Sequence, residues 1–118
     1  MLIRSQDKES LIAIDGNFVE ILKYGDLSEC SITVSTRDHS SLHVMARYSS
    51  AEKAMKVLDM IQEAYAEYKI TCTFLTGFTG HRAIVESNDV HVNGLEELVK
   101  NFKKNMVFQI PEDSEVEV

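Results

Sequence analysis

The apolar positions of this chain repeat with two different periods, and the predicted element changes where the period changes. Over residues 1–48 the period is close to two, that of a half-buried strand. Leu2-Ile3-Arg4 reads as a short strand, Leu11-Ile12-Ala13-Ile14 as a second and Phe18-Val19-Glu20-Ile21-Leu22 as a third. Asp15-Gly16-Asn17 lies between the last two. An Asp-Gly step flanked by apolar β-formers signals a hairpin, because Gly takes up the positive φ that the turn demands. Tyr24-Gly25-Asp26 reads as another turn. Ser31-Ile32-Thr33-Val34-Ser35-Thr36 alternates, Arg37-Asp38-His39-Ser40-Ser41 is a polar loop, and Leu42-His43-Val44-Met45-Ala46-Arg47-Tyr48 alternates again. These four or five strands predict an antiparallel meander.

After Tyr48 the period lengthens. Ala54, Leu58, Ile61, Tyr65 and Tyr68 recur every three or four positions, with Val57, Met60 and Ala64 widening the stripe. Lys53, Lys56, Asp59, Glu63 and Glu67 occupy the opposite face, so Ala51 to Lys69 predicts an amphipathic helix of about five turns. Ser49 and Glu52 have the spacing of a capping box, in which the hydroxyl accepts from first-turn N–H groups and the carboxylate reaches back. Ile70-Thr71-Cys72-Thr73-Phe74-Leu75-Thr76 reads as a return to β, followed by a loop at 77–82 and a strand-like Ala83-Ile84-Val85-Glu86. Asn88-Asp89 turns, and Val90-His91-Val92 has the look of a short strand. Asn93 and Glu96 predict the start of a second, shorter helix with Leu95, Leu98, Val99 and Phe102 on its apolar face. Lys100, Lys103 and Lys104 fall in its last turns, where cations suit the helix dipole. Met106-Val107-Phe108-Gln109-Ile110 reads as a last strand, closed by Pro111. The expected fold is α+β: an antiparallel β-meander, one long amphipathic helix and a second shorter helix towards the C-terminus, in a single domain over 1–118. Residues 112–118, with four acids, read as a solvated acidic tail.

Composition narrows the classes. The 118 residues are 44% hydrophobic and 26% charged, with one Pro and five Gly, which excludes collagen-like, low-complexity and linker-rich chains. No apolar run reaches the roughly 20 residues that a membrane helix needs, and the first residues lack the apolar core of a signal peptide, so a cytoplasmic protein is expected. Lys and Arg number 12 against 19 Asp and Glu, a net charge of −7. Duplex nucleic acid would repel such a chain unless its cations clustered. Cys30 and Cys72 form no CxxC pair and no zinc spacing, and read as two reduced, buried thiols in strands.

The chain carries no HExxH, GxSxG or P-loop pattern, and its four histidines, His39, His43, His81 and His91, show no spacing that forces convergence. No enzymatic activity, metal or cofactor is expected. The segment richest in candidate chemistry is Thr76-Gly77-Phe78-Thr79-Gly80-His81-Arg82. Its glycines let backbone N–H groups approach a ligand, Phe78 can stack on a base, and Arg82 can fork onto a phosphate. The plainer reading is a β-connection with Phe78 in the core and Arg82 in solvent. Arg4, Arg37 and Arg47 lie in or beside predicted strands. They suit either exposed cross-strand ion pairs or a second anion site shared within an oligomer. A long helix beside an open meander also favours association with a second copy.

Three stretches carry a resemblance. They are Met1-Leu2-Ile3-Arg4-Ser5-Gln6-Asp7-Lys8; Tyr48-Ser49-Ser50-Ala51-Glu52-Lys53-Ala54 with Val57-Leu58-Asp59-Met60-Ile61; and Phe108-Gln109-Ile110-Pro111-Glu112-Asp113-Ser114-Glu115-Val116. Together they resemble small acidic proteins of phages and prophages of Gram-positive bacteria. In size and element order the chain is similar to the Thoeris anti-defence family, whose members sequester cyclic ADP-ribose-type signals as oligomers without turnover, some also holding cyclic oligonucleotides. The resemblance implies a homo-oligomeric sponge for a cyclic nucleotide in the host bacterial cytoplasm, with Phe78 stacking on a base and Asn88 hydrogen-bonding the ligand. Thr76, Gly77, His81 and Arg82 complete the expected binding region. The alternative is an interaction module that uses its acidic surface, including 112–118, against a basic host protein.

Overall fold

Each strand finds its partners by burying its apolar positions, and the outcome is two small sheets. The computed structural model describes residues 1–23, 29–38, 40–76, 100 and 103–118, with 74–76 described by backbone alone. In chain order the elements are β1 (Leu2–Arg4), β2 (Leu11–Ala13), β3 (Phe18–Lys23), β4 (Cys30–Ser35), β5 (Leu42–Tyr48), α1 (Ala51–Thr76) and β6 (Val107–Gln109), followed by a 3-10 turn at Asp113–Glu115. The class is α+β, with one long helix. Residues 100 and 103–105 are also helical and fall within the span expected for the shorter second helix; the rest of that span lies outside the described residues, as do Tyr24-Gly25-Asp26 and the strands expected at 83–86 and 90–92.

β3, β4 and β5 form the antiparallel meander. β1 lies in a second sheet, antiparallel to β2 and parallel to β6, with Ile3 at the centre and fully buried. The hairpin expected across Asp15-Gly16 is therefore not formed, because β2 pairs with β1 and β3 with β4. The turn itself is present. Gly16 has φ +78°, the Asn17 N–H donates to the Ile14 carbonyl at 3.1 Å, and Asn17 Nδ2 donates to the Ala13 carbonyl at 2.7 Å. It passes the chain from one sheet to the other instead of folding it back.

β5 carries a bulge. The pairs Ile32–Ala46 and Thr33–Val44 leave Met45 as the extra residue, so Met45 and Ala46 are both buried. The bulge lets the strand turn Ala46 and Tyr48 inward after Val44 has faced outward. α1 crosses the inner face of this sheet, and Ala54, Val57 and Ile61 are buried in one core with Ile32, Val34 and Tyr48.

Three expectations change here. Residues 70–76 continue α1 instead of returning to β, which puts Cys72 on a helix and not in a strand. Thr71 Oγ1 donates to the Glu67 carbonyl at 2.9 Å and Thr73 Oγ1 to the Lys69 carbonyl at 2.8 Å, so both hydroxyls are satisfied inside the helix. Adding a residue to an existing helix costs far less than starting one, which outweighs the strand preference of Ile and Thr. The cap is also displaced by one residue: the Lys53 N–H donates to Ser50 Oγ at 3.3 Å, and Ser49 serves another partner. Lastly, 112–118 is no solvated tail. Ile110 and Val116 are buried, and the segment is held to α1 by hydrogen bonds.

Candidate functional site

Gln6 joins the two sheets. Its N–H donates to the Met45 carbonyl at 2.9 Å and its Oε1 accepts from the Arg47 N–H at 3.1 Å. Nε2 donates to the carbonyls of Arg47 and Pro111, both at 3.3 Å. A single side chain thus caps the free edge of β5 in place of a neighbouring strand, and satisfies groups that an edge otherwise leaves open. The turn that presents Gln6 is shaped by its own hydroxyls and carboxylate. Ser5 Oγ donates to Asp7 and accepts from the Ser10 N–H at 3.0 Å, and Asp7 accepts from the Glu9 N–H at 3.0 Å. Lys8 takes a positive φ of 67° to close it.

The C-terminal segment approaches from the other side. The Tyr48 hydroxyl donates to the Pro111 carbonyl at 2.6 Å. Asp113 accepts from the Ser49 N–H at 2.8 Å and from Ser49 Oγ at 2.9 Å, and Lys53 Nζ donates to the Asp113 carbonyl at 2.9 Å. A carboxylate at the start of α1 also meets the positive end of the helix dipole. Lys56 Nζ reaches the Glu117 carbonyl.

Between these parts runs a groove of about 510 Å³ lined by Gln6, Asp7, Arg47, Glu112, Asp113 and Ser114. It continues along Val44, Met45 and Ala46 as a second hollow of about 330 Å³. Its charges are fixed. The Ser5 hydroxyl and then the Glu9 N–H hold the Asp7 carboxyl below its ordinary value, and the Ser49 N–H and hydroxyl, with Lys53, do so for Asp113. Arg47 forms no ion pair among the described residues. Three carboxylates against one guanidinium leave the groove net negative. Burial, then the charges of Asp113 and Glu115, push the Tyr48 phenol up, so it stays a neutral donor.

Of the expected binding residues, Gly77, Phe78, His81, Arg82 and Asn88 lie outside the described residues, and Thr76 is described only as the last residue of α1. The three arginines lie on different elements. Arg47 lines the groove, and Arg4 donates Nε to the Lys8 carbonyl at 3.1 Å. Arg37 sits in the turn beyond the far end of β5, roughly 15 Å from Arg47 at the rise of a strand. His43 Nε2 shares a 3.0 Å hydrogen bond with Ser41 Oγ on an exposed hairpin, and no described carboxylate orients the ring. Both cysteines are in the thiol form, Cys30 buried and Cys72 half-buried. No group of three or more His, Cys, Asp or Glu among the described residues could hold a metal ion, and no described helix is long and apolar enough to cross a membrane.

Sequence reasoning passed over Gln6 and Asp7. The available signal was Ser5-Gln6-Asp7, a hydroxyl and a carboxylate two residues apart, which is the pattern of a turn closed by its own side chains.

Comparison with family models, with curated proteins and with solved structures finds no match for this chain. The three stretches that carry the resemblance nonetheless meet in space. Met1–Lys8, the start of α1 and 108–116 are the segments that Gln6, Tyr48 and Asp113 lock together.

Proposed function

We propose that this chain is a phage anti-defence protein that captures a cyclic nucleotide signal, of the cyclic ADP-ribose type, and holds it without turnover. The observation that supports it is the meeting of the three resembling stretches in one interlocked unit. The resemblance is therefore to a scaffold, and the resemblance itself assigns the ligand to Phe78 and Asn88. Electrostatics point the same way. The groove at Asp7, Glu112 and Asp113 is net negative and repels a pyrophosphate, so an anionic ligand has to be held elsewhere on the chain. In this reading Phe78 stacks on the base, Asn88 hydrogen-bonds it, Arg82 and His81 face the phosphates, and Thr76 and Gly77 shape the approach. Sequestration requires slow release and no chemistry. The protein works in the host bacterial cytoplasm as a homo-oligomer.

Calorimetric titration with cyclic ADP-ribose isomers and with cyclic di- and trinucleotides tests this. The expected result is stoichiometric binding of one of them, abolished in Phe78→Ala while the melting curve of the free protein is unchanged. Absence of binding across the panel removes the reading.

The acidic groove favours a second reading. Asp7, Glu112 and Asp113 converge where a cationic side chain of a basic host protein would be attracted. That reading expects salt-sensitive capture of a protein, weakened by Asp7→Asn and Glu112→Gln but not by Phe78→Ala.

A further inference from the structure

β5 lies at the edge of its sheet, and the bonds of Gln6 show which of its backbone groups point outward. In an antiparallel ladder successive residues turn their N–H and C=O alternately towards the neighbouring strand and away from it. Gln6 takes both the N–H and the carbonyl of Arg47, so Arg47 turns away from β4. The pairs Ile32–Ala46, Thr33–Val44, Val34–His43 and Ser35–Leu42, with Met45 as the bulged residue, carry that phase along the strand. Val44 and Leu42 therefore turn away from β4 as well. The next rung agrees, since the Thr36 N–H donates to the Ser41 carbonyl at 3.1 Å. Two residues thus present two donors and two acceptors along one line, with no backbone partner among the described residues. Native edges are usually blunted by lysine, proline, a bulge or a cover. Here the bulge and Gln6 blunt β5 from Met45 to Arg47, while Leu42-His43-Val44 holds neither lysine nor proline. The hollow of about 330 Å³ beside Val44 opens from this stretch into the groove of Asp7, Glu112 and Asp113. Asp113 has a cation of its own, Lys53 at 3.5 Å, and Arg47 pairs with none of the three carboxylates. Asp7 and Glu112 are left without an ion-pair partner among the described residues.

We propose that the open edge at Leu42–Val44 takes up an extended segment of a basic protein as an added strand, with a lysine or arginine at the end of that strand seated against Asp7 and Glu112. The inference rests on the second reading above, capture of a basic protein, and says how that partner is held. Main-chain bonds to Leu42 and Val44 supply the affinity, and the carboxylates choose the sequence. Gln6 already stands where a strand would stand. Its side-chain amide offers Arg47 the same acceptor and donor as a peptide group, and an incoming segment continues the ladder that Gln6 begins. Gln6 also ends that ladder, because its own N–H occupies the Met45 carbonyl. The segment must leave the edge at Met45, over the hollow, where its next side chain meets the groove. A second copy of the chain is the poorer occupant. Paired antiparallel through the same edge, with its Leu42 opposite Val44, it would bring Ser40 and Ser41 to the groove, which carry no charge.

Fluorescence anisotropy of labelled peptides on the full chain is the test. The probe is Lys-Val-Thr-Val-Thr-Val-Lys, which carries a cation at both ends and so serves either strand direction. It is compared with the same peptide bearing Glu at both ends, and with a form N-methylated at every amide, which keeps the charge and removes the main-chain donors. The Lys peptide is expected to bind about tenfold or more tightly than the Glu peptide at low salt, with the gap closing at high salt. N-methylation should abolish binding. Val44→Pro removes an N–H that the sheet does not use, at an edge position where proline is tolerated, and should weaken the Lys peptide by about tenfold with unchanged circular dichroism. Leu42→Pro, at the first residue of the strand, is the second variant should Val44→Pro lose its fold. Glu112→Gln should weaken the Lys peptide and leave the Glu peptide no weaker. Binding of the Lys peptide that is indifferent to N-methylation and to both proline variants overturns the added strand and leaves capture of a basic protein standing. Equal binding of the Lys and Glu peptides sinks both. Failure of every peptide to bind at about 1 mM overturns the added strand too.

Discussion

Asp113 ties the residue before the α1 cap to the C-terminal segment, and the same contacts lower its pKa. Its carboxylate accepts from the N–H and hydroxyl of Ser49 and lies beside Lys53, contacts that hold it below its ordinary value of 3.8. Asp7 and Asp15 are lowered as well, Asp15 chiefly by the Tyr65 hydroxyl, while Thr36 and Ser40 pull Asp38 down to about 2. A carboxyl with a folded value below its unfolded one contributes stability that is complete above the unfolded value and is lost as pH falls through the folded one. These four groups therefore add no slope between about pH 5 and 8, and the thermal midpoint should drop as pH falls from about 4 towards 2. Asp113→Asn should melt lower than wild type at pH 7 and decline less steeply in acid; identical acid slopes would show that the carboxylate is not engaged. Tyr48→Phe removes one donor to the Pro111 carbonyl but leaves Gln6 Nε2, so urea unfolding should show a loss of only about 0.5–1.5 kcal/mol.

α1 shows how far a hydrophobic period can be followed. The stripe through Ala54, Val57 and Ile61 is legible in the sequence, and those residues are buried. Past Lys69 the sequence offers Ile70, Thr71 and Thr73, which prefer strands, and the wrong element is predicted there. What the pattern lacks is the cost already met in starting the helix, and the hydroxyl-to-carbonyl bonds at Thr71 and Thr73 that make threonine tolerable in it. Position along the helix also sets the energetic weight of each residue. Ile61→Ala empties a packed site under the sheet and should cost about 2–5 kcal/mol in equilibrium unfolding. Ile70 is 70% exposed, so Ile70→Ala should fall within about 0.5 kcal/mol of wild type. Equal costs would mean that the C-terminal half of α1 is packed as tightly as the first. The Asp15-Gly16 turn carries a related lesson. Its local conformation is legible because only Gly takes φ +78° cheaply, whereas the strands it joins are chosen by long-range burial around Ile3.

At the scale of the molecule the two ends of the chain hold the middle. β6 lies parallel to β1, Gln109 Nε2 donates to the Ser5 carbonyl at 3.0 Å, and the residues after Pro111 bind the start of α1. None of this is visible in a run of four acids among seven residues, which by composition alone reads as solvated. The acids split into two kinds. Asp113 is bound to α1, while Glu112, Glu115 and Glu117 have exposed side chains, and Val116 between them is buried. The groove shares that origin, because it exists only while Glu112, Asp113 and Ser114 stand opposite Gln6 and Asp7. Deleting 112–118 should therefore do more than remove charge. It exposes the surface that Val116 covers, worth about 1.5–3 kcal/mol for a fully buried side chain of this size, and it takes from Ser49 the carboxylate that its N–H and hydroxyl donate to. The thermal midpoint should fall well below that of Glu112→Gln, Glu115→Gln or their combination, and Val116→Ala alone should reproduce part of the fall. If the triple Gln variant at 112, 115 and 117 melted as low as the deletion, charge and not docking would hold the segment. If the deletion melted with wild type, the contacts of Asp113 and Val116 would carry no weight, and the groove would have no fixed wall.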